Sequence, residues 1–276
     1  MPIADINNIK IAYEIYGDGE PLILIHGYSY NKSAWIAQID DLSKHFKLIA
    51  LDVRGSGGSS CPDKTFTMDD LVEDLKGLLD FLKIEKAHLM GWSMGGMIIQ
   101  NFVLKYPGRA NKLVLFATNA GLPSKDGILM LRDSLIKIYE LRKTDPKAAF
   151  FQLAKFMHST KFRKTMERAP TEKIHGIITT EELIKDSTEN QTPPTALKHL
   201  ADVIGAHNTL DRLHEIKNET LIIVGSKDTI TPLLSNEQIH EKLPNSTLKV
   251  IQGAGHKVFL ENQPEINPIL IEFLKK

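Results

Sequence analysis

The stretch AHLMGWSMGGMIIQNFVLKY, residues 87–106, contains a strand pattern, a sharp turn and a helix pattern in immediate succession. Its first four residues are mainly apolar, which is typical of a strand buried in a sheet. The residues from Met94 to Tyr106 have helical spacing, and the helix should end before Pro107 because proline cannot continue it. Between the two elements the pattern Gly-x-Ser-x-Gly, residues 91–95, places Ser93 at the turn. The stretch therefore predicts a strand that turns tightly into a helix, with a serine at the apex.

This turn matches the pattern of a nucleophile elbow, in which a strained strand-to-helix turn exposes a serine hydroxyl. Glycines flank the serine because larger side chains there would collide with the neighbouring strand and helix. The dipole of the helix that begins at Met94 also favours negative charge beside the turn. Ser93 is thus the candidate nucleophile.

Alternating strand and helix patterns extend outward on both sides of this stretch. Continuous apolar runs at Pro21–His26, Leu48–Leu51 and Lys112–Phe116 predict buried parallel strands, and the capped pattern from Thr67 to Leu82 predicts a crossover helix. Residues Ile9–Tyr16 alternate apolar and polar side chains, which predicts one strand of a hairpin that closes on the following Gly-Asp-Gly turn. Alternation of this kind specifies a parallel sheet with right-handed crossovers.

The alternation stops between about Asn119 and Asn208, where the patterns indicate helices only. Strand patterns resume at Thr220–Val224 and Thr247–Ile251, so the two flanks should belong to one sheet. We therefore predict an α/β fold with a mostly parallel central sheet, flanking helices and an inserted helical cap. Residues 1–118 and 209–276 would form the core, and residues 119–208 the cap.

A serine hydroxyl is a weak nucleophile unless a base removes its proton, and the base needs a third group that fixes its tautomer. Asp228 follows the strand pattern Thr220–Val224, and His256 follows the strand pattern Thr247–Ile251. Both positions lie at carboxyl ends of strands, where open α/β sheets place their sites. The order Ser, Asp, His is the one that accompanies this elbow. The sequence predicts a triad of Ser93, Asp228 and His256.

Acyl transfer also needs donors for the oxyanion, and backbone N–H groups usually supply them. The N–H of Met94, directly after the nucleophile, is one expected donor. The second is expected from the loop after the strand Pro21–His26, where the order His26-Gly27-Tyr28 indicates the N–H of Tyr28. We expect His26 and Gly27 to support this loop, and His26 not to titrate in catalysis.

With these residues in place, the chain resembles α/β-hydrolase fold proteins of the capped esterase and lactonase type over nearly its whole length. The landmarks occur in the family's order: His26-Gly27, the loop Asp52–Ser59, the elbow at Ser93, then Asp228 and His256. The nearest resemblance is to 3-oxoadipate enol-lactonases, arylesterases and related carboxylesterases. It implies that the loop Asp52–Ser59 is structural and supports the oxyanion loop.

The identity of the nucleophile distinguishes the chain from other families of the same fold. Haloalkane dehalogenases and epoxide hydrolases have an aspartate at the elbow, so Ser93 argues against both. Proline iminopeptidases usually carry a Gly-Gly-Pro-Gly run after the oxyanion histidine, whereas this chain has Gly-Tyr-Ser-Tyr at residues 27–30. Peptidase activity is therefore a minor alternative, and carbon–carbon bond hydrolases, which share the serine triad, remain open.

The composition is that of a globular chain, 42% hydrophobic and 25% charged, in which 34 Lys+Arg balance 34 Asp+Glu. A chain without net charge has no overall field to attract phosphate backbones or anionic lipid, so we expect neither a nucleic-acid nor a membrane partner. The N-terminus lacks the regions of a signal peptide, and no apolar run is long enough to span a bilayer. The single Cys61 fits a reducing compartment, so we expect a cytoplasmic protein. The oligomeric state stays open, a homodimer included.

The sequence contains no pattern for a metal or an organic cofactor. Its ten histidines form no His-Glu-x-x-His pair, and no Walker A sequence occurs. The segment 55–60 lacks the third glycine of a dinucleotide fingerprint. We therefore expect no cofactor and no metal.

The predicted cap carries enough apolar side chains to roof a pocket, which favours an apolar acyl or aryl group over a sugar or phosphate. Its cationic side chains are expected to form a solvated face, with one of them a candidate for binding a substrate carboxylate. These cations are Arg132, Arg142, Lys155, Arg163 and Arg168.

Taken together, these patterns predict a serine hydrolase that cleaves a small carboxylic ester or lactone through an acyl-enzyme. A carbon–carbon bond hydrolase and a perhydrolase are alternatives on the same triad. An alternative from another class is a small-molecule receptor on a hydrolase scaffold.

Overall fold

The computed structural model describes residues 2–122, 124–189 and 191–276. The strands, in chain order, are β1 (Ile3–Ile6), β2 (Ile9–Tyr16), β3 (Glu20–Ile25), β4 (Phe46–Leu51), β5 (Ala87–Trp92), β6 (Ala110–Phe116), β7 (Lys173–Ile174), β8 (Ile178–Thr179), β9 (Thr220–Gly225) and β10 (Ser246–Ile251). The α-helices are α1 (Ile36–Leu42), α2 (Met68–Phe81), α3 (Met94–Lys105), α4 (Asp126–Arg142), α5 (Pro146–Met157), α6 (Thr160–Arg168), α7 (Thr180–Thr188), α8 (Pro194–Ala206), α9 (Leu233–Lys242), α10 (Val258–Glu261) and α11 (Gln263–Lys275).

The central sheet has the strand order β1-β2-β4-β3-β5-β6-β9-β10. From β4 to β10 every neighbouring pair is parallel, whereas β1 and β2 run antiparallel at one edge. All residues of β5 and β9 are buried, because helices cover both faces of the sheet. The prediction of an α/β fold with a mostly parallel sheet is confirmed.

Helix α2 begins as the sequence predicts. The Thr67 hydroxyl accepts a hydrogen bond from the Asp70 N–H, and the Asp70 carboxylate accepts one from the Thr67 N–H. This capping box satisfies backbone donors that the first turn of a helix leaves unpaired.

The predicted hairpin at residues 17–19 is wrong. Strand β2 pairs with β1 through a turn at Asn7 and Asn8, which have φ values of 51° and 63°. Strand β4 lies between β2 and β3, so the Gly-Asp-Gly segment crosses over it. Gly17 has a φ of 66°, and a Cβ there would overlap the carbonyl oxygen of Ser43. The glycine therefore allows the backbone at residue 17 to pack closely against the segment before β4.

The segment between β6 and β9 contains helices α4 to α8, and also the short hairpin of β7 and β8, so the prediction of helices only was incomplete. Each of these two strands has two residues, too few for an alternating pattern to be visible. The ends of the segment lie side by side, because Gly121 bridges to Asn208 and the Thr209 N–H donates to the Ala120 carbonyl at 2.7 Å. This pairing supports our proposal that residues 119–208 form an inserted cap.

The inserted segment contacts loops at the carboxyl ends of the strands. The Tyr28 hydroxyl, after β3, donates to the Leu197 carbonyl in α8 at 2.5 Å. The Lys257 N–H, after β10, donates to the Met157 carbonyl at the end of α5 at 2.8 Å. Helices of the insertion therefore cover the edge of the sheet at which Ser93, Asp228 and His256 lie.

Candidate active site

The turn between β5 and α3 has the geometry of a strained elbow. Ser93 has φ 54° and ψ −115°, a conformation that costs a non-glycine residue about 1–3 kcal/mol. The neighbouring glycines permit the close packing around it: a Cβ at Gly91 would lie 2.5 Å from the carbonyl carbon of Gly95, and a Cβ at Gly95 would overlap the carbonyl oxygen of Ile25. The requirement for small residues, predicted from the sequence, is thus visible in the contacts.

Hydrogen bonds to the neighbouring strand hold the elbow in this conformation. The Ser93 N–H donates to the Phe116 carbonyl at 2.9 Å, and the Thr118 hydroxyl donates to the Ser93 carbonyl at 2.7 Å. Because both partners lie at or just past the end of β6, the sheet itself fixes the backbone of Ser93.

Asp228 and His256 form a buried pair. His256 Nδ1 lies 2.8 Å from Asp228 Oδ2, and the exposed fractions of the two residues are 2% and 6%. The N–H groups of Ile230 and Thr231 donate to Asp228 Oδ1, and the Thr231 hydroxyl donates to Asp228 Oδ2 at 2.8 Å. These donors compensate for burying the carboxylate, which leaves Oδ2 as the acceptor for the His256 ring.

The sheet brings this pair beside the elbow. Trp92, the residue before Ser93, donates from Nε1 to the His256 carbonyl at 3.1 Å, and its ring centroid lies 5.3 Å from that of His256. A Cβ at Gly225 would overlap the Ala254 carbonyl oxygen, so the loop that carries Asp228 can approach the loop that carries His256. The predicted serine, aspartate and histidine thus lie at the ends of β5, β9 and β10.

The loop after β3 lies directly against the elbow. A Cβ at Gly27 would be 3.3 Å from the Ser93 Cβ and 3.0 Å from the Trp92 ring. Any side chain at position 27 would therefore compete with Ser93 for space.

His26 fixes the orientation of this loop. The Val53 N–H donates to His26 Nε2 at 3.0 Å, so the ring proton is on Nδ1, which donates to the Gly27 carbonyl at 2.8 Å. Burial lowers the pKa of His26, which keeps the ring neutral. In a trans peptide the C=O and the N–H point in opposite directions, so holding the Gly27 carbonyl also sets the direction of the Tyr28 N–H.

The backbone N–H groups of Tyr28 and Met94 have no hydrogen-bond acceptor among residues 2–122, 124–189 and 191–276. Both residues are buried. A buried N–H without an acceptor is rare in proteins because it costs free energy. Two such groups beside Ser93 are what an oxyanion site requires.

The loop Asp52–Ser59 supports the loop after β3 through a second buried carboxylate. Asp52 accepts hydrogen bonds from the Lys32 N–H at 2.7 Å and from the Gly58 N–H at 2.9 Å, and Lys32 Nζ lies 2.9 Å from Asp52 Oδ2. The loop also supplies Val53, the donor to His26.

Sequence reasoning missed Thr231. Its hydroxyl lies 2.8 Å from Asp228 Oδ2 and 3.3 Å from His256 Nδ1, so it contacts both members of the pair. The spacing Asp-x-x-Thr in a loop after a strand is the available signal, because such residues often bond to backbone groups nearby.

No group of three or more His, Cys, Asp or Glu side chains is arranged to hold a metal ion within the described part of the chain. The helices described for this protein are all too short or too polar to cross a membrane.

Comparison with known proteins gives a consistent result. A family model described as the alpha/beta hydrolase fold matches residues 20–263. A 2-hydroxy-6-oxononadienedioate/2-hydroxy-6-oxononatrienedioate hydrolase from Paraburkholderia phymatum is 29% identical over 278 residues, which is 96% of this chain and 91% of that protein.

Two solved structures are similar over almost the entire chain. A thermophilic esterase from Thermogutta terrifontis has a TM-score of 0.78 and 27% identity, covering 97% of this chain and 93% of its own. The enol-lactonase from Burkholderia xenovorans has a TM-score of 0.84 and 21% identity, with all of both chains covered. The second likeness shows the shared fold alone.

Proposed function

Because the chain belongs to the α/β-hydrolase fold family, we propose that it is a serine hydrolase that cleaves a small carboxylic ester or lactone. One observation carries this proposal: the buried Asp228–His256 pair lies beside the strained Ser93 elbow, where the N–H groups of the buried residues Tyr28 and Met94 lack acceptors among the described residues. These residues supply candidates for the nucleophile, the base, the orienting carboxylate and the oxyanion donors at one edge of the sheet.

In the first half of the reaction, His256 Nε2 takes the proton of the Ser93 hydroxyl as Ser93 Oγ attacks the substrate carbonyl carbon. The oxyanion that forms accepts hydrogen bonds from the N–H groups of Tyr28 and Met94. One such donor is worth about 2.7–4 kcal/mol of transition-state stabilisation. Asp228 stabilises the imidazolium, which then protonates the leaving alkoxide and yields an acyl-enzyme on Ser93.

In the second half, water replaces the alcohol. His256 Nε2 removes a proton from the water molecule, whose oxygen attacks the acyl carbon. The same N–H groups hold the second oxyanion, and the proton on His256 returns to Ser93 Oγ as the acid leaves. With a lactone, the alcohol and the acid belong to one product molecule.

The burial of the site favours a small substrate. Ser93 is 7% exposed, and the contact between the Tyr28 hydroxyl and the Leu197 carbonyl holds α8 over the oxyanion loop. The similarity to a solved esterase supports an ester as the substrate class.

The test is hydrolysis of p-nitrophenyl esters from acetate to decanoate, with the wild type and Ser93→Ala compared at equal concentration. Ser134→Ala is the matched control, because the Ser134 hydroxyl bonds only within its own helix, to the Met130 carbonyl. We expect multiple turnovers by the wild type and the control, and a loss of about 10,000-fold or more in Ser93→Ala.

The chain length at which turnover peaks would report the depth of the acyl pocket. Full activity in folded Ser93→Ala would contradict the mechanism. If the wild type cleaves neither the esters nor a lactone series, or stops after one turnover, the proposal is wrong.

A further inference from the structure

A cavity of about 140 Å³ lies between the loop after β3 and the insertion. Its wall includes Ser29 and Lys257, each next in sequence to a residue of the candidate site, Tyr28 and His256. Arg142 at the end of α4 and Asp186 in α7 close it from the insertion. The volume exceeds that of several water molecules, at about 30 Å³ each in the liquid.

Two cations face this cavity. Lys257 is 5% exposed, and its Nζ lies 4.9 Å from the centre of the Tyr30 ring. Burial lowers the pKa of Lys257 to about 8, because the ammonium group loses its hydration. The Nε of Arg142 is buried and has no hydrogen-bond partner among the described residues, and burial lowers the pKa of its guanidinium as well.

The carboxylates of the wall balance these charges only in part. Asp186 accepts a hydrogen bond from the Ser33 hydroxyl at 2.7 Å, and no ion pair within 4.0 Å joins it to Lys257 or Arg142 in the described structure. Glu189 lines the cavity but is exposed, so water screens its charge. The wall therefore holds two cations against one carboxylate, Asp186, whose charge raises the pKa of Lys257 less than burial lowers it.

Ser29 adds a third donor. Its φ of 65° is unusual for a residue other than glycine, and its hydroxyl is buried without a partner among the described residues. Strained backbone and unsatisfied polar groups persist where the surroundings gain from them, which is typical of binding sites.

We propose that this cavity binds a carboxylate group, with Arg142 and Lys257 as its cationic ligands and the Ser29 hydroxyl as a further donor. A carboxylate has two oxygens and about four acceptor positions, which suits a guanidinium, an ammonium and a hydroxyl that line one cavity. The carboxylate belongs either to the substrate of Ser93 or to a separate small acid. Only the first of these sources rests on the proposed hydrolase activity.

This assignment selects one of the five cations of the insertion. The expectation of a solvated face is wrong for Arg142, which lines the cavity. Arg132, on the same helix, pairs instead with Asp133 at 2.8 Å and serves as the matched control.

The binding test is calorimetric titration with butyrate and with butyramide, which has a similar shape and no charge. We expect the wild type and Arg132→Gln to bind butyrate about tenfold or more tightly than butyramide. Arg142→Gln and Lys257→Met should each weaken butyrate binding about tenfold or more and leave butyramide unchanged. Both variants remove a buried charge and should fold at least as stably as the wild type, which thermal unfolding checks.

Equal binding of butyrate and butyramide, or unchanged butyrate affinity in Arg142→Gln, would overturn the inference. These measurements need no turnover, so they stand even if the hydrolase proposal fails. Conversely, ester turnover without butyrate binding would leave the hydrolase proposal intact and remove this one.

The source of the carboxylate is distinguished by two esters, mono-p-nitrophenyl glutarate and p-nitrophenyl pentanoate. If the substrate supplies it, the wild type should have the higher kcat/KM for the charged ester, and Arg142→Gln should lower the charged-to-neutral ratio about tenfold. If a separate acid binds, the ratio should be the same in both proteins, and butyrate should change pentanoate hydrolysis without competing with it.

Discussion

Buried charges in the core are paired, whereas the two cations in the cavity under the insertion form no ion pair within 4.0 Å in the described part of the chain. In the core, Arg54 and Asp74 form two hydrogen bonds of 2.6 and 2.7 Å, and Asp228 is surrounded by donors. In the cavity, Arg142 Nε has no partner among the described residues, and Lys257 contacts aromatic rings. A paired charge holds a loop in place, and an unpaired one can hold a ligand.

The largest expected effect is a loss of kcat when the Asp228–His256 pair, which takes part in the proposed chemistry, is altered. In Asp228→Asn the amide would favour the wrong tautomer of His256, so the Nε2 that should accept the Ser93 proton would carry one. We expect kcat to fall about 10,000-fold while the thermal unfolding temperature changes little. Ester turnover and circular dichroism on the same samples check this, and retention of more than a tenth of the activity would argue against Asp228 as the orienting acid.

Loss of the Arg54–Asp74 pair should lower the stability of the protein and leave catalysis unchanged. Asp74→Asn leaves the Arg54 guanidinium buried beside a neutral amide and also weakens the bond from Asn7 Nδ2, which is 3.1 Å long. We expect the free energy of unfolding to fall by about 3–5 kcal/mol, as for other buried pairs that lose one partner.

Urea denaturation measures that loss, with Asp80→Asn as a control because Asp80 is an exposed partner of Lys76 and Arg109. Below the unfolding transition, the kcat of Asp74→Asn should equal that of the wild type. A large loss of kcat with unchanged stability would place Asp74 in the site and erase the distinction between the two pairs.

How much of the fold and of the site the sequence predicts depends on how far apart in the chain the residues of each feature lie. The elbow could be predicted because its glycines, serine and helix start are contiguous, and Asp228 and His256 because the ends of parallel strands meet at one edge. Helical periodicity also indicated helices between about Asn119 and Asn208, where α4 to α8 lie.

The cavity could not be predicted. Its wall combines Ser29, Arg142, Asp186 and Lys257, which lie in four separate segments. Hydrophobic periodicity does not show which face of each helix of the insertion faces the core. The sequence therefore did not distinguish Arg142 from the other cationic side chains of the insertion. The hairpin at residues 17–19 failed for a related reason: a glycine turn does not reveal that β4 will lie between the two strands.

The smallest expected effect is a pH dependence of carboxylate binding. Lys257, with a pKa of about 8, is protonated at pH 7 and mostly neutral at pH 9, so butyrate affinity should fall about tenfold over this interval. Burial lowers the pKa of His158 and raises that of Tyr30, so both stay neutral throughout. The other charged groups that line the cavity are Arg142, whose guanidinium stays protonated over this interval, Asp186 and the exposed Glu189.

Folding responds to Lys257 with the opposite sign. The pKa of Lys257 is lower in the folded protein than in the unfolded chain, so the charged ammonium destabilises the folded state below pH 8. This destabilisation disappears as the pH rises from about 8 toward 10, because the ammonium then loses its proton in both states. Titration of butyrate at pH 7, 8 and 9 checks the binding prediction, with Lys257→Met expected to show no such fall. A wild-type affinity that rises with pH would contradict it.

The central claim is that Ser93 carries an acyl group during turnover. Mass spectrometry after acid quenching of the wild type with p-nitrophenyl butyrate tests this most directly, since the trapped intermediate adds one butyryl group to the peptide that contains Ser93. We expect this adduct in the wild type, a larger amount in Asp228→Asn if deacylation slows more than acylation, and none in Ser93→Ala. Turnover without the adduct, or an adduct on another residue, would contradict the claim.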